Sequence, residues 1–282
     1  MKYTINDLPK FSPWPARLIG IEPMEQKHKT PEEIMREYEH EKWGPLLENI
    51  RELKRDVSIE EVAKLALKDV RPSLCSIADH FELLDPIDAR QKYLKLVEST
   101  LRPYLPASAL VELGAGYGSV ILALAKREKF NQMRIMAGEY SASGVELIKR
   151  IAVFHRIDIE AEHCDFNLPT ITNLAIPANA LIFTSMATPY VSKLSVDFVR
   201  SLLAYHPKRV IHIEPCFEHC NTDTLIGILR RRYIEVNDYN INLVTLLHDQ
   251  QSKGLIRIIE ERPAVLGPNA LLPVSVIVWE PQ

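Results

Sequence analysis

From Ala107 onward, short apolar runs alternate with stretches of helical periodicity, and this alternation narrows the fold more than any other feature of the 282-residue chain. ALVELG, RIMAGEY, IDIEAEHC, ALIFTS and RVIHIEP read as strands of a sheet covered on both faces. Helical stretches are expected around 119–128, 143–155, 192–205 and 221–233. Strand and helix repeated in this way predict a parallel sheet, because parallel neighbours need a crossover connection. GLIRIIEE and VSVIVWE then break the rhythm. PAVLGPNALLP joins them with no helix between, which predicts an antiparallel hairpin closing the sheet. The expected class is α/β, a Rossmann-like doubly wound sheet with a C-terminal antiparallel hairpin.

The first 105 or so residues follow a different pattern, an irregular arm followed by helices. Thr30-Pro-Glu-Glu33 and Ser58-Ile-Glu-Glu61 are capping boxes, the first with proline at the first helical position, so at least two helices begin here. The first runs to about Asp56 and spaces Ile34, Tyr38, Trp43, Leu46, Leu47, Ile50 and Leu53 as a buried stripe. Another is expected from Ala89 to Leu101, ending before Pro103. Ahead of them LPKFSPWPARLIGIEP carries Phe11, Trp14, Leu18, Ile19 and Ile21 among prolines, too apolar for a solvated tail and too broken for a helix of its own. It needs a surface to lie on, and the carboxyl edge of the sheet is the expected one.

The run VELGAGYGS, residues 111–119, sets Glu112 ahead of Gly114, Gly116 and Gly118 in an E-x-G-x-G-x-G spacing. A pyrophosphate cradle would show G-x-G-x-x-G and no carboxylate beside it. With five strand-helix units and a closing antiparallel pair, residues 90–282 resemble the class I S-adenosylmethionine (SAM) dependent methyltransferases. The resemblance implies a helical lid over 1–90 and a SAM-binding catalytic domain over 91–282. It implies that Gly114, Ala115, Gly116, Tyr117 and Gly118 hold the amino-acid part of SAM, and that Glu112 reaches its ammonium. Glu139, 21 residues beyond Gly118 at the end of RIMAGEY, is expected to take both ribose hydroxyls, with Tyr140 beside it. Asp165 and Phe166 in HCDFN are placed at the adenine, and Thr184, Ser185 and Tyr190 in TSMATPY beside the methyl group. Tyr117 and Tyr190 offer aromatic faces to a sulfonium.

HIEPCFEHC, residues 212–220, holds histidines, acids and thiols, but its Cys216–Cys220 interval is no zinc pair, and no metal is expected. Glu214 and His219 are expected instead at the lip of the active site, where a base for a hydroxyl substrate would serve. With 34 basic against 37 acidic residues there is no electrostatic footprint for nucleic acid or an acidic membrane. No apolar run reaches membrane-spanning length, and MKYTINDLPK lacks a signal-peptide layout, so a cytoplasmic location and reduced thiols are expected. RRRYIEVNDYNINLVTLL and NALLPVSVIVWEP resemble small-molecule methyltransferases described as sugar O-methyltransferases, and also the azetidine-2-carboxylate synthases, which keep the methyltransferase fold but cyclise SAM itself. The leading expectation is methyl transfer to a small molecule. The alternative is a SAM cyclase with SAM as its only substrate, and a non-catalytic SAM-binding module comes third. A homodimer is left open.

Overall fold

The computed structural model describes residues 3–78 and 80–282. Its strands are β1 (Ser73–Ile77), β2 (His80–Leu84), β3 (Ala109–Leu113), β4 (Arg134–Glu139), β5 (Ile159–His163), β6 (Leu181–Ser185), β7 (Arg209–Pro215), β8 (Ile256–Gly267) and β9 (Val274–Pro281). They form one mixed sheet in the order β2-β1-β8-β9-β7-β6-β3-β4-β5. The five strands read from the sequence pair in parallel, and β9 lies antiparallel to both β7 and β8, as expected.

Successive residues of the central strands enter opposite cores. Leu110, Phe183 and Ile211 face one layer of helices, while Val111, Ile182 and Val210 face the other. Across β6, β7 and β9 a polar thread crosses this apolar interior. The indole N–H of Trp279 donates to His212 Nε2 at 3.0 Å, which puts the imidazole proton on Nδ1, 3.0 Å from Thr184 Oγ1. All three residues are fully buried, and burial pushes His212 down to about 3, so its ring is neutral.

The N-terminal third departs from the expected arm and helices: the arm, read as too broken for a helix of its own, winds into the short helical segments Ile5–Lys10 and Trp14–Leu18, and a hairpin follows the helices. SLCSI and HFELL pair as an antiparallel hairpin and extend the sheet beyond β8 through Ser76–Gly267 and Ile77–Leu266. The pattern in these runs is too short to distinguish from helix flanks, and only the open edge of β8 gives them a partner. Helix Leu243–Ser252, also unforeseen, covers the sheet ahead of β8.

Both capping boxes are present, with Thr30 Oγ1 accepting from Glu33 N at 3.3 Å and Ser58 Oγ from Glu61 N at 3.1 Å. The first helix is not uniform. Between Pro31–Met35 and Gly44–Glu52, residues Arg36–Trp43 are wound as a π-helix. Gly44 permits this winding, since a side chain there would lie 2.1 Å from the carbonyl oxygen of Glu39. Of the expected stripe, Ile34, Leu46, Leu47 and Ile50 are buried, Tyr38 and Trp43 are half-buried, and Leu53 is exposed.

The apolar arm does find a surface, but not the carboxyl edge of the parallel strands. Leu8 and Leu18 are buried with Leu74, Leu229, Tyr233 and Leu271, and the Trp14 ring meets Tyr233 edge-on at 4.7 Å. Ile19 and Ile21 stay exposed. The segment that covers the edge is therefore 31–52, and the arm braces helix Leu225–Val236. Among the described residues no helix is long and apolar enough to cross a membrane.

Replacing Trp279 by phenylalanine is expected to leave the His212 acceptor without a donor in a dry interior, costing about 1–3 kcal/mol beyond the lost packing. Urea unfolding of the full chain should show a lower midpoint at an unchanged slope.

Candidate functional site

A cavity of about 300 Å³ lies between the carboxyl ends of the parallel strands and the helical segment 31–52. Glu112, Gly114, Ala115, Gly116 and Tyr117 line it from β3 and the loop that follows, Glu139 and Tyr140 from the end of β4, and Asp165 and Phe166 from the end of β5. Ser185 lines it from the end of β6 and Tyr190 from the turn that follows. Eleven of the fifteen expected site residues thus come together in one place.

Glu139 organises this floor. Its Oε2 accepts from the Gly116 amide at 2.8 Å, and its Oε1 accepts from the Ser141 amide at 3.1 Å and from Ser141 Oγ at 2.8 Å. Ser141 in turn caps helix Ala142–His155. One carboxylate therefore ties the glycine loop to the next helix, and three of its roughly four acceptor positions are taken. Room remains for about one further strong hydrogen bond. Glu112 is also buried, with Oε2 accepting from Ile121 N at 2.9 Å at the start of helix Ile121–Ala125, while Oε1 has no partner among the described residues. Burial raises both carboxyl groups above their ordinary value, Glu112 strongly. Asp165 Oδ1 accepts from the backbone and side-chain nitrogens of Asn167, at 2.8 and 3.0 Å. The floor is thus rich in carboxyl groups, an environment that favours a cationic ligand.

The three glycines of the loop all have positive φ, and their reasons differ. A side chain at Gly114 would strike Ala187 Cβ at 2.3 Å, and one at Gly118 would lie 2.9 Å from Ile148 and Leu122. Gly118 is a packing position behind the loop and does not line the cavity. Gly116 is the one that the roof covers, with Trp43 3.2 Å from where its Cβ would be.

A helical lid was expected over 1–90, but Ile34, Tyr38 and Trp43 were read only as part of a buried stripe and Lys42 was not singled out. Ile34, Tyr38, Lys42 and Trp43 line the cavity from above. Trp43 meets Tyr117 at 5.2 Å and Tyr38 at 5.9 Å between ring centroids, and Tyr38 meets Tyr190 edge-on at 4.8 Å. The clue lay in the step of five from Tyr38 to Trp43, which fits π winding and not an α-helical stripe. Glu39 fixes this roof by accepting from Ser143 N at 3.0 Å and from Ser143 Oγ, at the start of helix Ala142–His155. Tyr93, on the helix expected from Ala89 to Leu101, sets Ser185 through an OH to Oγ bond of 2.8 Å.

Four expectations need correction. Thr184 is fully buried and bonded to His212, because its strand position points into the core. Gly118 packs against helices, as above. Glu214 is not at the lip: it is fully buried, both its oxygens accept from Ala187 N at 3.1 and 3.0 Å, and burial pushes it up to about 7. His219 points to the C-terminal hairpin, bonded to Ser275 Oγ and Glu261 Oε1 at 2.8 Å each. Neither lines the cavity. Among the described residues no group of three or more histidine, cysteine, aspartate or glutamate side chains is placed to hold a metal ion.

No family model matches the chain, and no curated protein matches it in sequence. Among solved structures the chain is similar to magnesium protoporphyrin IX methyltransferase from Synechocystis PCC 6803 with bound SAH, at 11% identity and a TM-score of 0.49 over 71% of this chain and 89% of that one. It is similar to a SAM-dependent methyltransferase from Aquifex aeolicus at 14% identity and a TM-score of 0.45, over 70% and 98% of the two chains. Geranyl diphosphate methyltransferase in complex with GPP and sinefungin gives 12% identity and a TM-score of 0.48, over 67% and 76%.

The buried Glu214 makes a stability prediction. Its folded value of about 7 stands above the ordinary 4.5, so the folded state holds its proton more tightly between those values. Its contribution is fully present below about pH 4.5, is lost as pH rises through about 7, and is constant above that. Glu214→Gln keeps an acceptor for Ala187 N and should remove this slope, raising the melting temperature at pH 8 relative to the parent and not at pH 4.5. Parallel melting curves for the two proteins across that range would contradict the assignment.

Proposed function

We propose that this chain is a SAM-dependent enzyme acting on a small molecule, with the cavity under segment 31–52 as its active site and methyl transfer as its reaction. The observation that carries the reading is the cavity floor, where a glycine loop built on positive φ is flanked by two buried carboxyl groups, Glu112 with an oxygen left over and Glu139 with room for one more donor. A dinucleotide pyrophosphate is a poor match for such a floor, whereas a ligand carrying an ammonium and ribose hydroxyls is a good one.

In this reading Glu112 Oε1 receives the ammonium and Glu139 accepts one ribose hydroxyl, fewer than the two expected from sequence because the protein already fills three positions. Asp165 and Phe166 flank the base. SAM supplies an electrophilic methyl group on a sulfonium. The chain contributes alignment and exclusion of water: Trp43, Tyr38, Tyr117 and Tyr190 wall the cavity with aromatic surface, which holds a cation without offering a nucleophile. Ser185, held by Tyr93, and Tyr190 are polar groups of the lining that can orient an acceptor. Burial pushes Tyr190 up to about 12, so it serves as a hydrogen-bond donor and not as a base.

A second reading, cyclisation of SAM itself, is favoured by the size of the cavity. At about 300 Å³ it stands at the lower end of ordinary ligand pockets, so one ligand fills most of it.

One assay separates the readings. Incubation with SAM alone should leave SAM intact if a second substrate is needed, and should release methylthioadenosine if the chain cyclises it. S-adenosylhomocysteine should accumulate only when an acceptor is present. Lack of any SAM binding by calorimetry would refute both. Glu139→Gln, which removes the charge and keeps the shape, should weaken SAM binding by about 1.5–3 kcal/mol, and an unchanged affinity would refute the ribose assignment.

A further inference from the structure

Carboxyl groups line the floor of the cavity, and an ammonium group and aromatic rings line its roof. Below are the carboxyl groups of Glu112, Glu139 and Asp165. Above, Lys42 lines the cavity, and it and Lys29 both reach Glu37 at 2.6 Å. The Lys29 side chain is only 5% exposed, and its Nζ lies 5.3 Å from the centre of the Tyr190 ring, which lines the cavity. Trp43 lies between the two layers. Its ring covers Gly116, and its Nε1 is buried with no hydrogen-bond partner among the described residues. A buried indole N–H without an acceptor is costly and uncommon, and it stands at the end of a π-helical stretch, a winding that recurs at functional sites.

We propose that Trp43 is a specificity-determining residue of the roof, whose indole N–H donates to the carboxylate at the amino-acid end of the ligand. This rests on the reading of the ligand as SAM. A zwitterionic amino-acid group placed on the glycine loop lies between the carboxyl groups of the floor and the unpaired indole N–H over Gly116. Its ammonium is drawn to the free oxygen of Glu112, its carboxylate is repelled by Glu112 and Glu139, and the donor facing it over Gly116 is Trp43. Phenylalanine at this position would keep the aromatic cover and lose the donor.

The test compares two ligands on the full-length protein, SAM and the same molecule lacking its α-carboxylate (decarboxylated SAM). By titration calorimetry, Trp43→Phe should weaken SAM roughly ten- to hundredfold and leave the decarboxylated ligand within about twofold. Equal weakening of both would make Trp43 a packing residue and overturn the proposal. If wild type binds neither ligand, the reading of the cavity as a SAM site has failed, and the proposal falls with it. A second measurement needs no folded variant. The chain has three tryptophans, and the Trp279 N–H is already engaged by His212. In ¹⁵N-labelled wild type, one indole N–H resonance should move downfield with SAM and markedly less with decarboxylated SAM. Indole resonances that respond identically to the two ligands would overturn the proposal.

Discussion

The carboxylate of Glu139 is the contact on which the candidate site depends. It sits at the end of β4, where the strand delivers it without side-chain choice, and it holds both the Gly116 amide and the start of helix Ala142–His155. The glycine loop has three positive-φ residues and would be loose without an anchor. With its amide fixed to a buried carboxylate, the loop keeps one shape. The same helix start receives Glu39 from the roof, so loop, helix and roof meet at a single turn.

Burial sorts the acids of this chain into different roles. Glu214 is sealed under the turn after β6, with both oxygens turned to Ala187 N, and contributes a structural hydrogen bond at the cost of a raised carboxyl. Glu112 and Glu139 are almost as buried but border open volume. Desolvation raises them too, and a cation entering that volume would supply the countercharge the protein withholds. The distinction between a structural acid and a ligand-binding acid is therefore one of what lies beside it, since strand position and burial are similar.

The roof depends on a departure from regular helix. An α-helix from Pro31 would carry Tyr38 and Trp43 on different faces, because a step of five residues overshoots a turn by more than a third. The π winding of Arg36–Trp43 brings both to the cavity, and Gly44 makes room for it. The apolar arm supports this arrangement from outside by packing on helix Leu225–Val236, and the backbone of Lys27 bonds to Val236 O at 2.9 Å.

The parallel strands, the closing hairpin, both capping boxes and the cavity-lining glycine and acid positions were legible in the sequence. Each is encoded locally, in a period of two or 3.6 residues, a cap three positions from its partner, or a glycine where the backbone turns. What only the tertiary structure decided concerns partners far apart in the chain. His212 became a neutral core residue because Trp279 and Thr184 enclose it, Glu214 left the site because Ala187 N claims it, and SLCSI and HFELL became strands because β8 offers an edge. Trp43 and Tyr38 looked like stripe residues because apolar periodicity reports burial and cannot tell a core from the wall of a cavity. That difference is set by which residues are missing opposite them, and the sequence holds no local record of empty space.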